Sequence, residues 1–123
     1  MSAQVAADLR AAADLLERDG WTQDQFHARA DDQRICHCAE GAIALASGDH
    51  ANVRIESDGE VDWDLERDDP LPERRREAAE KMLAKHLGIP RHASIPSWND
   101  APERTAAEVI AALRAAADKA DQP

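Results

Sequence analysis

The sequence predicts a mainly α single domain over residues 1–123, with four longer helices, one short helix and one β-hairpin at about 51–65. Three observations carry this reading. Apolar residues recur at helical spacing in several long stretches, each marked by a capping pattern or a closing glycine. One central stretch alternates with a period of two instead, as a strand with one wet face and one buried face does. The 123 residues suit one domain able to bury about two thirds of its unfolded surface.

The first helix is expected over about Ala3–Arg18, with Val5, Leu9, Ala12 and Leu16 on one stripe, Leu15 widening it, and Gly20 closing it in the left-handed conformation. Thr22 to Gln25 reads as a T-x-x-Q capping box opening a short helix through Phe26 to about Arg29. Cys36–Ala46 reads as a buried helix stopped by Ser47-Gly48. Gly41 inside it costs about 1 kcal/mol against alanine, which close approach of another helix or a Trp ring would offset.

Next comes the alternating stretch. Every even position from Glu56 to Asp68 is an acid, and Val61, Trp63 and Leu65 sit between them. A two-residue Asp58-Gly59 turn would mix apolar and charged residues on one face. A three-residue loop, Ser57-Asp58-Gly59, pairs Ile55 with Val61, Val53 with Trp63 and Ala51 with Leu65. It also sets Arg54 opposite Asp62 and Glu56 opposite Glu60. Glu73–Leu87 is then a helix capped by Gly88, Ile89–Asp100 is irregular, and a Thr105–Glu108 capping box opens the last helix, which runs to about Lys119. Positions 5–14 and 109–118 agree at eight of ten; two independently Ala-rich amphipathic helices explain this more simply than duplication.

Alanine supplies 26 residues and the aromatics only four. The interior is therefore expected to be thin, with Trp21, Trp63, Trp98 and Phe26 as its large anchors. The net charge of −10 argues against direct binding to nucleic acid or an anionic membrane and permits docking to a basic protein surface. No apolar run reaches about 18 residues, so no membrane span is expected. The start lacks a basic stretch followed by an apolar core, so no secretory leader is expected either. Two cysteines one residue apart do not make a disulfide framework. The expected location is the cytoplasm.

The pieces Cys38-x-x-Gly41-Ala42 and Trp98-Asn99-Asp100-x-x-x-Arg104-Thr105, with Leu9-Arg10-Ala11-Ala12-Ala13 and Gly20-Trp21-Thr22 before them, carry a family likeness. With them the chain resembles an uncharacterised family of small actinobacterial and actinophage proteins. The resemblance implies no activity and no catalytic residue, and the acidic hairpin is not part of it.

Several clusters could carry chemistry. Cys36 and Cys38 with His27 and His50 could supply four zinc ligands, although Cys-x-x-Cys spacing is absent; the plainer reading makes Cys38 a small buried residue. Cys38 near a helix start could be a nucleophile of lowered pKa, with His92 and Asn99 or Asp100 as partners. For Trp98-Asn99-Asp100, a capped turn beside a core tryptophan is preferred to a polar pocket with an aromatic wall. Arg74-Arg75-Arg76 reads as a solvated helix face. Carboxylates two apart on a strand are about 6.6–6.8 Å apart, comparable with phosphates along DNA, so the acidic comb could mimic DNA; the plainer reading is a wet strand face that protects an edge.

The resulting expectation is a non-enzymatic, cofactor-free accessory or regulatory protein. It docks a basic partner through Glu56, Glu60, Asp62, Asp64 and Glu66, with DNA mimicry as the sharper version, and its Ala-rich helices also suit a homodimer. The alternative is a small thiol-dependent enzyme or ligand-binding protein using Cys38 with the Trp98-Asn99-Asp100 segment.

Overall fold

A computed structural model describes residues 2–30, 33–90 and 94–122. In chain order the elements are α1 (Ser2–Asp19), β1 (His27–Arg29), β2 (Ile35–His37), α2 (Ala39–Ser47), β3 (His50–Ile55), β4 (Val61–Leu65), α3 (Leu71–Leu87), α4 (Ile95–Asn99) and α5 (Ala106–Ala120). The mainly α architecture stands, and so do the four longer helices; the short helix present is α4, inside the stretch 89–100 expected to be irregular. The expected hairpin is joined by a second antiparallel pair, β1–β2.

The short helix expected at 22–29 is absent. Gly20 turns the chain at φ +100°, and Trp21 then runs beside β2 as a parallel bridge to His37. Thr22 N–H donates to the His37 carbonyl at 3.0 Å, and His37 N–H donates to the Gly20 carbonyl at 3.1 Å. A helix of one or two turns pays a nucleation cost that this ladder avoids. For the same reason Ile35–His37 is a strand, paired with β1 in the register His27↔His37 and Arg29↔Ile35, and α2 starts only at Ala39. Cys38 is its N-cap, extended at φ −83° and ψ 177°, with its sulfur accepting the Gly41 N–H.

The β3–β4 turn follows the expected three-residue loop. Ile55 pairs with Val61 and Arg54 with Asp62, Glu56 N–H donates to the Glu60 carbonyl at 2.7 Å, and Gly59 lies at φ +87°. Beyond Arg54 the expected register fails. A bulge between Ala51 and Arg54, with Asn52 at φ +52°, pairs Ala51 with Asp64 and His50 with Leu65. The one extra residue on β3 swaps its faces. His50 thereby joins Val61 and Trp63 on the inner side.

The core lies between the helices. α1 packs along α5 and against α2 and α3, and α3 closes on α2 and α5. Its large buried side chains are Leu9, Leu16, Ile43, Leu83, Ile95, Val109 and Leu113, spaced by alanines. The four aromatics are not the anchors of this core: all are half-buried and stand around its edge. Arg75 and Arg76 do not form a solvated face. Arg75 forks onto buried Asp8 at 2.6 and 3.1 Å, and Arg76 reaches Glu80 at 2.6 Å and Asp49 at 3.1 Å. No helix among the described residues is long and apolar enough to cross a membrane.

Candidate functional site

The two strand pairs bring three histidines together beneath the hairpin. In β1–β2, His27 and His37 are direct partners, so their side chains share one face. Their Nδ1 atoms are 2.9 Å apart. His27 Nε2 lies 2.8 Å from Nδ1 of His50, the residue that the bulge turns inward. All three rings are buried. The chain continues at both ends: His37 Nε2 lies 2.9 Å from an Asp19 carboxylate oxygen, and His50 Nε2 lies 3.3 Å from Arg76 Nη1.

These ends settle the direction of every bond. A guanidinium only donates and an ionised carboxylate only accepts. His50 Nε2 therefore accepts from Arg76, and its Nδ1–H donates to His27 Nε2. His27 Nδ1–H then donates to His37 Nδ1, and His37 Nε2–H donates to Asp19. Each ring is neutral, gives one hydrogen bond and receives one. Electrostatics agrees: burial pushes His27 down to about 3 and His50 down to about 4, with Arg76 adding to both, while burial lowers His37 against the opposing pull of Asp19. Asp19 is lowered by hydrogen bonds from Arg18 and His37 despite its partial burial.

Beside this chain opens a cleft of about 350 Å³, within the size range of small-molecule sites. Phe26, Trp63, Val61 and Pro96 form its apolar walls, and His27, Cys38, Glu40 and Asp100 supply polar groups. Trp63 stacks on His50 at 5.3 Å and 22° and meets Phe26 edge-on at 5.9 Å and 80°. Glu40, in the first turn of α2, is 7% exposed. Burial first, then the charge of Glu80 and a hydrogen bond to it, push Glu40 up to about 8. Since Arg76 holds Glu80 Oε1 at 2.6 Å, Glu80 is the carboxylate of the pair and Glu40 the acid.

The placement of this cleft depends on Gly41. A Cβ there would collide with the Phe26 carbonyl, which accepts the Cys38 N–H at 3.0 Å. The close approach expected at this glycine is therefore made by the bend leading into β1, not by a helix or a Trp ring. A family model matches residues 1–119. The chain belongs to DUF6197, a family of unknown function. No curated protein and no solved structure matches it.

The residues singled out from sequence fall into distinct places. Cys38 lines the cleft, but burial raises its thiol to about 11 instead of lowering it. Asn99 and Asp100 also reach the cleft, whereas His92 lies outside the described residues. The four zinc candidates do not converge. Cys36 donates its S–H to the Ala28 carbonyl at 3.3 Å, Cys38 accepts from Gly41, and His27 and His50 bind one another. Among the described residues no group of three or more metal-binding side chains forms. In the hairpin, Arg54 sits amid the comb, 2.9 Å from Glu56, 3.4 Å from Asp62 and 3.2 Å from Asp64. Glu66 accepts the N–H groups of Asp68 and Asp69. Trp98 carries the Arg104 guanidinium over its ring at 4.4 Å, and Trp21 donates its indole N–H to the Asn99 side chain at 2.7 Å.

Sequence reasoning passed over His37, Glu40, Arg76 and Glu80. Glu40 left a readable signal, as the lone acid in the apolar run Cys38–Ala46. The histidines left little, because 10 and 23 residues separate His27 from its two ring partners.

Proposed function

We propose that this protein binds a small molecule in the cleft between Phe26, Trp63, Pro96 and the start of α2, and performs no chemistry on it. The carrying observation is that aromatic walls and a buried acid, Glu40, converge on one cavity. Binding without reaction follows from the state of the groups present. The Cys38 thiol is held up at about 11, and both His27 nitrogens are engaged with other rings, so neither a thiolate nor a free imidazole base faces the ligand. The free Cys36 and Cys38 suit a reducing cytoplasm, where such a protein would serve as a ligand-responsive accessory factor in bacteria or their phages.

The acidic hairpin as a docking face for a basic partner is the second reading. Its repeated exposed carboxylates favour it; Arg54, lodged among three of them, weakens it. One experiment separates the two. ¹⁵N-labelled protein is titrated with small fragments of mixed charge and, separately, with a polylysine peptide. Ligand binding predicts shifts at the Trp63 indole, Gln25 and Val61, unchanged when Glu56, Glu60, Asp62 and Asp64 are neutralised. Responses confined to the outer hairpin face, lost on that neutralisation and in high salt, would replace the first reading with the second.

A further inference from the structure

We propose that the occupant of this cleft is an aromatic cation of the arylamidine type, seated against Phe26 and Trp63 with its charge beside Glu40 and Asp100, and that it displaces the proton Glu40 shares with Glu80. This rests on the ligand-binding reading and adds the charge and shape of the ligand.

Charge comes first. The cleft is lined by Asp24, Glu40 and Asp100 and by no Lys or Arg. The nearby cation, Arg76, lies across the Phe26 ring, 5.4 Å from its centroid, and is already bound to Glu80 and Asp49. An anion entering here would lose its water and meet Asp24 and Asp100 with no Lys or Arg in the lining to pair with it, whereas a cation finds counter-charge. Shape comes second. Phe26 and Trp63 meet at 80°, so a flat ring laid on one presents its edge to the other, and both faces attract a cation.

The proton follows from the surroundings of Glu40. Glu80 and Arg76 of α3 face it, Asp100 adds negative charge from the end of α4, and the Cys38 thiol and His27 share the cleft. Arg76 forms its short bond to Glu80, and two buried carboxyls sharing one cation cannot both ionise cheaply. His27 has no free nitrogen to take the proton. A bound cation supplies the missing positive charge: one positive charge enters, one proton leaves Glu40 for solvent, and the site's total charge is unchanged.

The test is isothermal titration at about pH 7 in two buffers of different ionisation enthalpy, using benzamidine, benzamide and benzoate, with the Trp63 indole followed by NMR. Benzamidine is expected to bind, to shift that signal and to release nearly one proton. Benzoate should bind at least about tenfold more weakly, and benzamide should release none. Glu40→Gln should abolish proton release by benzamidine. Asp100→Asn, which keeps the oxygen that accepts the Asp24 N–H, should weaken benzamidine without changing the proton count. Benzoate binding as tightly as benzamidine, or benzamidine binding with no proton released, would overturn the inference and leave a ligand cleft standing. Failure of all three probes and of the fragment set to move the Trp63 signal would remove both.

Discussion

Asn99 uses its whole hydrogen-bonding capacity inside the protein. Its Oδ1 accepts the Trp21 indole at 2.7 Å and the Ala39 N–H at 3.0 Å, and its Nδ2 donates to the Thr22 carbonyl and to Asp100. It thus satisfies one of the donors that the first turn of α2 leaves open and ties the Cys38–Ala42 and Trp98–Thr105 segments together. Asn99→Ala strands the indole and Ala39 donors and should cost about 3 kcal/mol in urea unfolding. An effect under about 1 kcal/mol would mean that water replaces the amide. Gly41→Ala pushes a methyl into the Phe26 carbonyl and should cost about 3 kcal/mol, with the His27 ring signals shifting together with Phe26. A neutral outcome would show that β1 can slide away from α2.

At the scale of elements, the repeated sequence of α1 and α5 has a geometric counterpart. The helices lie antiparallel, and their ion pairs are reciprocal: Arg10 meets Asp118 and Asp121, while Arg114 meets Asp14 and Glu17. Positions 10, 14 and 17 of one helix correspond to 114, 118 and 121 of the other, so the pair has an approximate two-fold axis. These bridges are exposed, so Arg10→Ala and Arg114→Ala should each lower stability only slightly and add, as thermal melts of the double variant can check. The β3 bulge matters more, because it decides where His50 points. Deleting Asn52 removes the extra residue, pairs Val53 with Trp63 and leaves His50 opposite Leu65, so His50 should stay inward and keep an NMR-measured pKa near 4. A His50 that titrates near 6.5 in this variant would show that the local shape of the bulge, and not the strand register, holds it inward.

For the molecule as a whole, the buried groups pull stability in opposite directions with pH. The three histidines have folded pKa values below the unfolded one. Their contribution is complete above about 6.5 and is lost as pH falls toward 4 and 3 for His50 and His27. Glu40 is raised, so its contribution is complete below 4.5 and is lost as pH rises through about 8. Three groups oppose one below neutrality, so stability should peak near about pH 7 and fall more steeply on the acid side. Urea midpoints from pH 4 to 9 test this, and Glu40→Gln should flatten the alkaline limb and steepen the acid limb above about 4.5. A profile flat down to pH 4 would mean that the histidine chain admits protons without strain.

The long helices, the Thr105 capping box, the closing glycines at 20 and 88 and the three-residue hairpin loop were all readable in the sequence. Each is set by spacing or backbone preference within a few residues. So was the importance of Cys38, Gly41 and Asn99, although not what they do. Tertiary structure alone decided the rest. It made strands of His27–Arg29 and Ile35–His37, bulged β3, gathered three distant histidines into one directed chain, and left the acid of the cleft on Glu40. None of these choices lowers the energy of its own segment; each becomes favourable only once another part of the chain supplies the missing donor, acceptor or charge.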